Sequence, residues 1–150
     1  DTRDEFRDLS LAVADNFETR GAADYAKEYV TVPGRLTFRD KDPRGWAAFI
    51  VRLTEHSDIG AALTQRGVQA SRPGLWDLAD QIRAIPMPTM IVTGDDDQRC
   101  LAPGLFMKDL INRSRLFVLP NTGHVLNLEE PELFNTVLEE FLSDIDVGKA

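Results

Sequence analysis

The sequence predicts an α/β protein in which a helical N-terminal region precedes a short parallel sheet. Apolar residues recur every three or four positions through the first half of the chain. Two short apolar runs follow in the second half, 88–94, which is rich in β-branched residues, and 114–120, and each is succeeded by a helical pattern. Parallel strands joined by helices have this order. We therefore predict a helical region over residues 1–85 and an α/β region over residues 86–150.

The first helix is predicted over residues 6–29, with a restart at Gly21. Its apolar residues are separated by charged ones and recur at helical spacing: Phe6, Leu9, Val13 and Phe17. Residues 31–35 (TVPGR) are predicted to break it. Asp42 and Pro43 supply the N-cap and the first-turn proline of a second helix. The apolar face of that helix comprises Trp46, Phe49, Ile50 and Leu53.

Two further helical segments complete the first region, one around Gly60 and Gly67 and one over residues 75–85, with a turn at 71–74 between them. In the second region, residues 88–94 (PTMIVTG) have the apolar character of a strand buried on both faces. A helix over 103–112, a strand over 114–120 and an amphipathic helix from Pro131 are predicted to follow.

Composition narrows the classes of function. The 150 residues carry a net charge of −8, and residues 76–150 hold 13 acidic against 6 basic side chains. Such a surface repels phosphate backbones and anionic lipids, so we expect neither a nucleic-acid nor a membrane partner. The chain has no apolar run of membrane-spanning length and no signal-like start, which predicts a cytoplasmic location.

The positions of the ten glycines exclude three motifs. No two glycines are separated by two, four or five positions. The dinucleotide-binding G-x-G-x-x-G, the phosphate-binding G-x-x-x-x-G-K and the nucleophile elbow G-x-S-x-G are therefore absent from this sequence.

Two loops follow the predicted strands and carry the candidate chemistry. Residues 94–97 (GDDD) follow the first strand, and residues 121–124 (NTGH) follow the second. Ligands of open α/β sheets bind beside the carboxyl ends of the strands. An aspartate after one strand and His124 after the next can form a pair in which the carboxylate orients the imidazole as a general base. A capped turn and a surface histidine are the alternative interpretation.

The stretch over residues 86–142 resembles the C-terminal end of an α/β-hydrolase. The resemblance rests on residues 88–97 (PTMIVTGDDD), 119–124 (LPNTGH) and 128–135 (LEEPELFN). It implies that Asp97 is the triad acid and His124 the triad base, with Asp96 as the alternative acid. It also implies a helical cap that returns to the core near residues 72–73, a small-molecule substrate, and no cofactor or metal.

The sequence also departs from the α/β-hydrolase pattern, because it lacks the nucleophile elbow. We therefore expect the chain to be the C-terminal portion of a hydrolase that acts on an ester, thioester or related carbonyl compound through a serine outside this sequence. The alternative is a non-enzymatic fragment, or a binding or oligomerisation module. An unpaired edge of the strand at Thr89–Thr93 also predicts self-association, through strand pairing or through elements exchanged between chains. A metal site at Asp95, Asp96 and Asp97 is the least favoured hypothesis.

The remaining polar and aromatic candidates have structural interpretations. His56 lies at a predicted helix end, and Leu126 with Asn127 is expected to position the histidine loop. Cys100 is interpreted as a buried small hydrophobe rather than an activated thiol. Four aromatic residues are interpreted as core rather than as the lining of a pocket: Phe38, Trp46, Phe49 and Trp76.

Overall fold

A computed structural model of the chain describes residues 3–149. Helices alternate with two strands in its C-terminal half. The elements are α1 (Arg3–Arg20), α2 (Ala22–Tyr29), α3 (Pro33–Lys41), α4 (Pro43–Thr54), α5 (Asp58–Thr64), α6 (Ala79–Arg83), β1 (Thr89–Gly94), α7 (Gln98–Leu110), β2 (Ser114–Leu119), α8 (Leu126–Glu129) and α9 (Pro131–Asp146). A π-helical turn, Gln65–Gln69, continues α5, and a 3₁₀ turn, Trp76–Leu78, precedes α6.

The chain forms two compact units. The first consists of the chain up to Val32 together with Pro43–Gly74, and the second of Pro33–Asp42 together with the chain from Leu75 onward. The first unit is wholly helical, whereas the second contains both strands. The assignment of residues 1–85 as a cap region stays a prediction.

The first unit is built on the predicted amphipathic helices. Gly21 separates α1 from α2 with a φ of 78°, a left-handed conformation that glycine adopts without strain, so the predicted restart is confirmed. The carboxylate of Asp58 accepts a 2.6 Å hydrogen bond from the Ala22 N–H at the start of α2. The core of this unit comprises Val13, Ala14, Phe17, Ala22, Tyr25 and Ala62.

The second unit contains a parallel pair of strands. Thr89 is in register with Ser114 and Gly94 with Leu119, and α7 connects the two strands, as the strand–helix–strand pattern predicts. The expectation that β1 is buried on both faces is met in part. Ile91 and Thr93 are buried, whereas Met90 and Val92, which alternate with them, are partly buried.

Two helix predictions also need correction. Residues 31–35 do not simply break the chain, because α3 begins at Pro33: proline suits the first turn of a helix, where no N–H is needed. Helix α7 begins at Gln98, five residues before the predicted start, and contains Pro103. Both differences arise at prolines, Pro33 and Pro103, that the sequence pattern indicates as boundaries between elements.

The four aromatic candidates differ in burial. Phe38 and Trp46 are buried, which confirms the core interpretation for these two residues, and Phe49 packs against Trp46 at a ring distance of 5.9 Å. Trp76 is 58% exposed, so the core interpretation is wrong for that side chain. No helix within residues 3–149 combines the length and the apolar character needed to cross a bilayer.

Candidate active site

The two predicted loops lie at the same edge of the sheet. Because Gly94 pairs with Leu119 at the carboxyl ends of parallel strands, the chain leaves both strands side by side. At Gly94 the two loops touch: a Cβ there would lie 2.0 Å from the Thr122 carbonyl oxygen. Real Cβ atoms do not approach an oxygen so closely, so only glycine permits this approach of the loops.

Asp97 and His124 form a hydrogen-bonded pair. Nδ1 of His124 lies 2.7 Å from Oδ2 of Asp97. The aspartate is only 6% exposed, whereas the histidine side chain is 48% exposed. A carboxylate only accepts, so Nδ1 donates and the lone pair of Nε2 remains available toward solvent. This is the arrangement of an oriented general base.

Asp97 occupies the position immediately before α7. Its carbonyl accepts a 2.9 Å bond from the Cys100 N–H, which begins the helix, while its own N–H donates to the Gly94 carbonyl at 3.2 Å. Its side chain does not cap the helix. The carboxylate is therefore free to accept from His124, and the tight turn from Gly94 fixes its position.

The backbone around His124 is held by groups that sequence reasoning missed. The buried carboxylate of Glu129 accepts from the Gly123 N–H at 2.6 Å and from the Val125 N–H at 3.1 Å. The His124 N–H donates to the Gly34 carbonyl of α3 at 2.6 Å. The backbone N–H groups of residues 123–125 therefore all have hydrogen-bond acceptors. Two of these acceptors are the oxygens of the Glu129 carboxylate.

Glu129 could have been suspected from its placement in the short helix after the histidine. The expected positioning residues Leu126 and Asn127 open α8, the helix that carries Glu129. A buried glutamate needs donors, and the unpaired N–H groups of a glycine-containing loop are close by in sequence. The contribution of Gly34 had no such signal, because ninety residues separate it from His124.

Asp95 and Asp96 have other partners. Oδ1 of Asp95 accepts from the Thr122 N–H at 3.0 Å. Hydrogen bonds from the backbone of Thr122 and Asn121 lower the pKa of Asp95 below its ordinary value of 3.8. Asp96 is exposed, and its backbone N–H donates to the Thr122 carbonyl at 2.9 Å. The carboxylate beside the histidine is that of Asp97, so the alternative acid Asp96 is not in the pair.

The hypothesis of a cation bound by Asp95, Asp96 and Asp97 together is also wrong. The three adjacent carboxylates diverge, one toward the Thr122 backbone, one into solvent and one toward His124. Consecutive residues in an extended loop point in different directions.

Cys100 lies one helical turn from Asp97 and is partly buried. Burial, together with a hydrogen bond to Asp97, raises the pKa of its thiol to about 12. The thiol is therefore protonated at neutral pH, which argues against an activated thiol. His56, at the exposed end of α4, donates its backbone N–H to the Leu53 carbonyl at 3.3 Å, in keeping with its predicted place at a helix end.

The fold agrees with comparisons to known proteins. A family model described as the alpha/beta hydrolase family matches residues 3–137, most of the chain. The chain therefore belongs to the alpha/beta hydrolase family.

Individual relatives match smaller parts of the chain. It is 29% identical over 91 residues to a Bacillus subtilis (strain 168) protein provisionally named 2-succinyl-6-hydroxy-2,4-cyclohexadiene-1-carboxylate synthase, covering 60% of this chain and 32% of that protein. It is 35% identical over 71 residues to the 2-hydroxy-6-oxo-6-(2'-aminophenyl)hexa-2,4-dienoic acid hydrolase of Metapseudomonas resinovorans, covering 47% and 24%.

Among solved structures, MenH from S. aureus superposes with a TM-score of 0.88 at 20% identity. The match covers 95% of this chain and 53% of MenH. At that identity the likeness concerns the fold. The chain spans about half the length of this structure and a third or less of the two curated relatives.

Proposed function

We propose that this chain supplies the acid and the base of a Ser-His-Asp hydrolase whose nucleophilic serine lies outside these 150 residues. The observation that carries the proposal is the 2.7 Å bond between Asp97 and His124, with the imidazole exposed on its other side. Membership of the alpha/beta hydrolase family supports it, and so does the span of about half of a matching structure.

In this proposal each residue has one task. Nε2 of His124 takes the proton of the serine hydroxyl as the serine oxygen bonds to the substrate carbonyl carbon, and then returns that proton to the leaving group. A water molecule regenerates the serine by the same proton transfers in the second half of the reaction. Asp97 keeps Nδ1 protonated and stabilises the imidazolium that forms at each step.

We propose an ester, a thioester or a related carbonyl compound as the substrate. The Metapseudomonas resinovorans relative is named for a 6-oxo dienoic acid, a compound with a carbonyl group, which supports this class. Attack of a serine on a carbonyl carbon is common to all of these substrates. The chain itself gives no signal for the leaving group.

The test is an assay of the complete protein, carrying both this chain and a serine elbow, with p-nitrophenyl esters. We expect Asp97→Asn to lower kcat about 10⁴-fold, as loss of the orienting carboxylate does in other triads, and His124→Ala to lower it about 10⁶-fold, as loss of the base does. The neighbouring change Asp96→Asn is the matched control and is expected to retain activity. Full activity in both site variants would overturn the assignment.

The alternative, a non-enzymatic binding or oligomerisation module, is favoured by the absence of a nucleophile elbow from the sequence. Both proposals predict that the 150-residue chain remains unlabelled by a serine-directed fluorophosphonate, because it has no elbow serine, and labelling would contradict both. The assay of the complete protein with its His124 and Asp97 variants separates them. Self-association is a separate proposal, supported by a sheet of only two strands among residues 3–149, in which one edge of β1 is left unpaired. Light scattering at micromolar concentration tests it, and a stable monomer would contradict it.

A further inference from the structure

Three different metal-binding side chains converge at the acid–base pair. Among residues 3–149, Asp97, Cys100 and His124 each offer one ligand atom, and these atoms all lie within 4.8 Å of one another. Three atoms at such separations leave a point about 2.8 Å or less from each of them, against zinc bond lengths of roughly 2.0–2.3 Å. Side-chain shifts of up to about 0.8 Å would close the difference.

We propose that Asp97, Cys100 and His124 form a binding site for a borderline-soft divalent cation, of which Zn²⁺ is the best match. A carboxylate oxygen, a thiolate sulfur and an imidazole nitrogen are the donors that zinc prefers, whereas Mg²⁺ and Ca²⁺ favour oxygen ligands alone. This site differs from the Asp95–Asp97 cluster considered from the sequence, and it departs from the expectation that the chain holds no metal.

The backbone presents these donors in a fixed arrangement. Asp97 and Cys100 stand one turn apart at the start of α7 and are linked by the 2.9 Å bond from the Cys100 N–H to the Asp97 carbonyl. The Glu129 carboxylate holds the backbone on both sides of His124. Binding therefore requires side-chain adjustment but no rearrangement of the loops, and this limits its cost in conformational entropy.

The site has a route of entry and an open coordination position. The His124 side chain is exposed, so a hydrated cation can reach the imidazole from solvent. Three protein ligands leave a fourth position of a tetrahedral zinc for water. Zinc would bind with release of the thiol proton of Cys100 and would replace the proton shared by Asp97 and His124.

One consequence rests on the proposed function. A cation bound by Asp97 and His124 removes the orienting bond of the general base, so Zn²⁺ would inhibit the hydrolase reversibly. The binding site itself does not depend on that function, because it requires no nucleophile.

The test uses Co²⁺ as a spectroscopic substitute for Zn²⁺ in the 150-residue chain. Cys100 is the only cysteine of the sequence, so a thiolate-to-cobalt charge-transfer band can arise from no other residue. We expect a band that saturates at one equivalent, disappears on addition of Zn²⁺ and forms without a change in mass by light scattering. No band at millimolar Co²⁺, or a band that appears only with dimers, would overturn the proposal.

Substitutions at the proposed ligands test which residues bind the cation. We expect Cys100→Ser to abolish the band and His124→Ala to weaken Zn²⁺ binding at least tenfold in calorimetry, because each removes a ligand. The matched control is His56→Ala, which removes the only other histidine and is expected to leave binding unchanged. Unaltered zinc affinity in both ligand variants would refute the site, and the wild-type cobalt measurement decides the question if either variant fails to fold.

A separate measurement concerns the consequence for activity. In the complete protein, we expect Zn²⁺ to lower the rate of ester hydrolysis, a chelator to restore it, and Cys100→Ser to lose the sensitivity relative to its own metal-free rate. An inactive complete protein would contradict the proposed function while leaving the cobalt result intact. Zinc binding to the chain with no effect on an active complete protein would contradict the inhibition alone.

Discussion

The first unit contains an exposed group of charged side chains that pair with one another, whereas the second unit contains buried carboxylates that bind an imidazole or the backbone. Arg66 lies in an exposed group with Asp15 and Glu18, the latter at 2.7 Å. By contrast, Glu129 is only 7% exposed and accepts from two backbone N–H groups beside His124.

The two kinds of charged contact differ in how much they stabilise the fold. Exposed ion pairs contribute little, because solvent screens them and long side chains lose entropy on pairing. A buried carboxylate that accepts from the backbone forms charge-assisted bonds, and its removal leaves buried donors unsatisfied. Apolar packing therefore holds the first unit together, whereas polar contacts position the loops of the second.

The largest expected effect concerns the apolar core of the first unit. Phe17 is buried and meets the Tyr25 ring edge-on at 5.1 Å. Phe17→Ala is expected to lower the free energy of unfolding by about 3–5 kcal/mol through lost burial and a cavity. Urea denaturation measures it, with the exposed Leu9→Ala on the same helix as the control. If Phe17→Ala lowered the free energy of unfolding no more than Leu9→Ala does, apolar packing would not be what holds the first unit together.

The next effect concerns the contact between the two loops of the second unit. A Cβ at Gly94 would lie 2.0 Å from the Thr122 carbonyl oxygen, so Gly94→Ala must push the loops apart. We expect a destabilisation of about 1–3 kcal/mol and loss of the Asp97–His124 bond, read from the His124 ring signals in NMR. Gly67→Ala is the control, because nothing lies within 4 Å of a Cβ at that position.

An effect of similar size is expected from the buried carboxylate of the second unit. Glu129→Ala should cost about 1.5–3 kcal/mol, the usual value of hydrogen bonds to a charged group. Glu129→Gln should cost less, since an amide oxygen still accepts. Thermal unfolding compares them with Glu18→Gln in the exposed group of the first unit, for which we expect no change in midpoint. Equal shifts at positions 129 and 18 would contradict the distinction between the units.

The smallest effect depends on pH. The pKa of Asp95 is lowered by hydrogen bonds from Thr122 and Asn121, so the folded state favours the charged carboxylate. Its contribution is present above the ordinary pKa of 3.8 and is lost as the pH falls through the lowered value. Asp95→Asn should therefore be less stable than the wild type at neutral pH.

The pH dependence has a direct check. Urea midpoints measured at neutral pH and in strong acid should show a difference between wild type and Asp95→Asn that vanishes in acid. Asp96→Asn makes the same charge change one residue away and is the control. A difference that persists in acid would assign the effect of Asp95→Asn to something other than the carboxylate charge.

Much of the fold could be predicted because its signals are local. The restart at Gly21 follows from the glycine position, and the strands over residues 89–94 and 114–119 follow from short apolar runs, of which the first is rich in β-branched residues. Helix α3 was missed because Pro33 and Gly34 are read locally as a break. In the folded chain these two residues begin a helix, and the Gly34 carbonyl accepts a hydrogen bond from the His124 N–H.

The candidate site was only partly predictable. The sequence places an aspartate and a histidine after consecutive strands, and the family resemblance favoured Asp97 over Asp96. The structure shows Asp97 beside the imidazole. Catalytic roles for both residues stay predictions, whereas the hydrogen bonds that Glu129 and Gly34 accept from this loop depend on the tertiary structure.

The sequence by itself determined the strand–helix–strand order, the two candidate loops and the absence of a nucleophile elbow, because periodicity and glycine spacing are properties of neighbouring residues. Only the tertiary structure decided which carboxylate meets His124, what holds its backbone and which donors lie beside Cys100. Those outcomes depend on distances between segments far apart in the chain. Parallel pairing of β1 with β2 sets these distances by bringing the carboxyl ends of both strands to one edge.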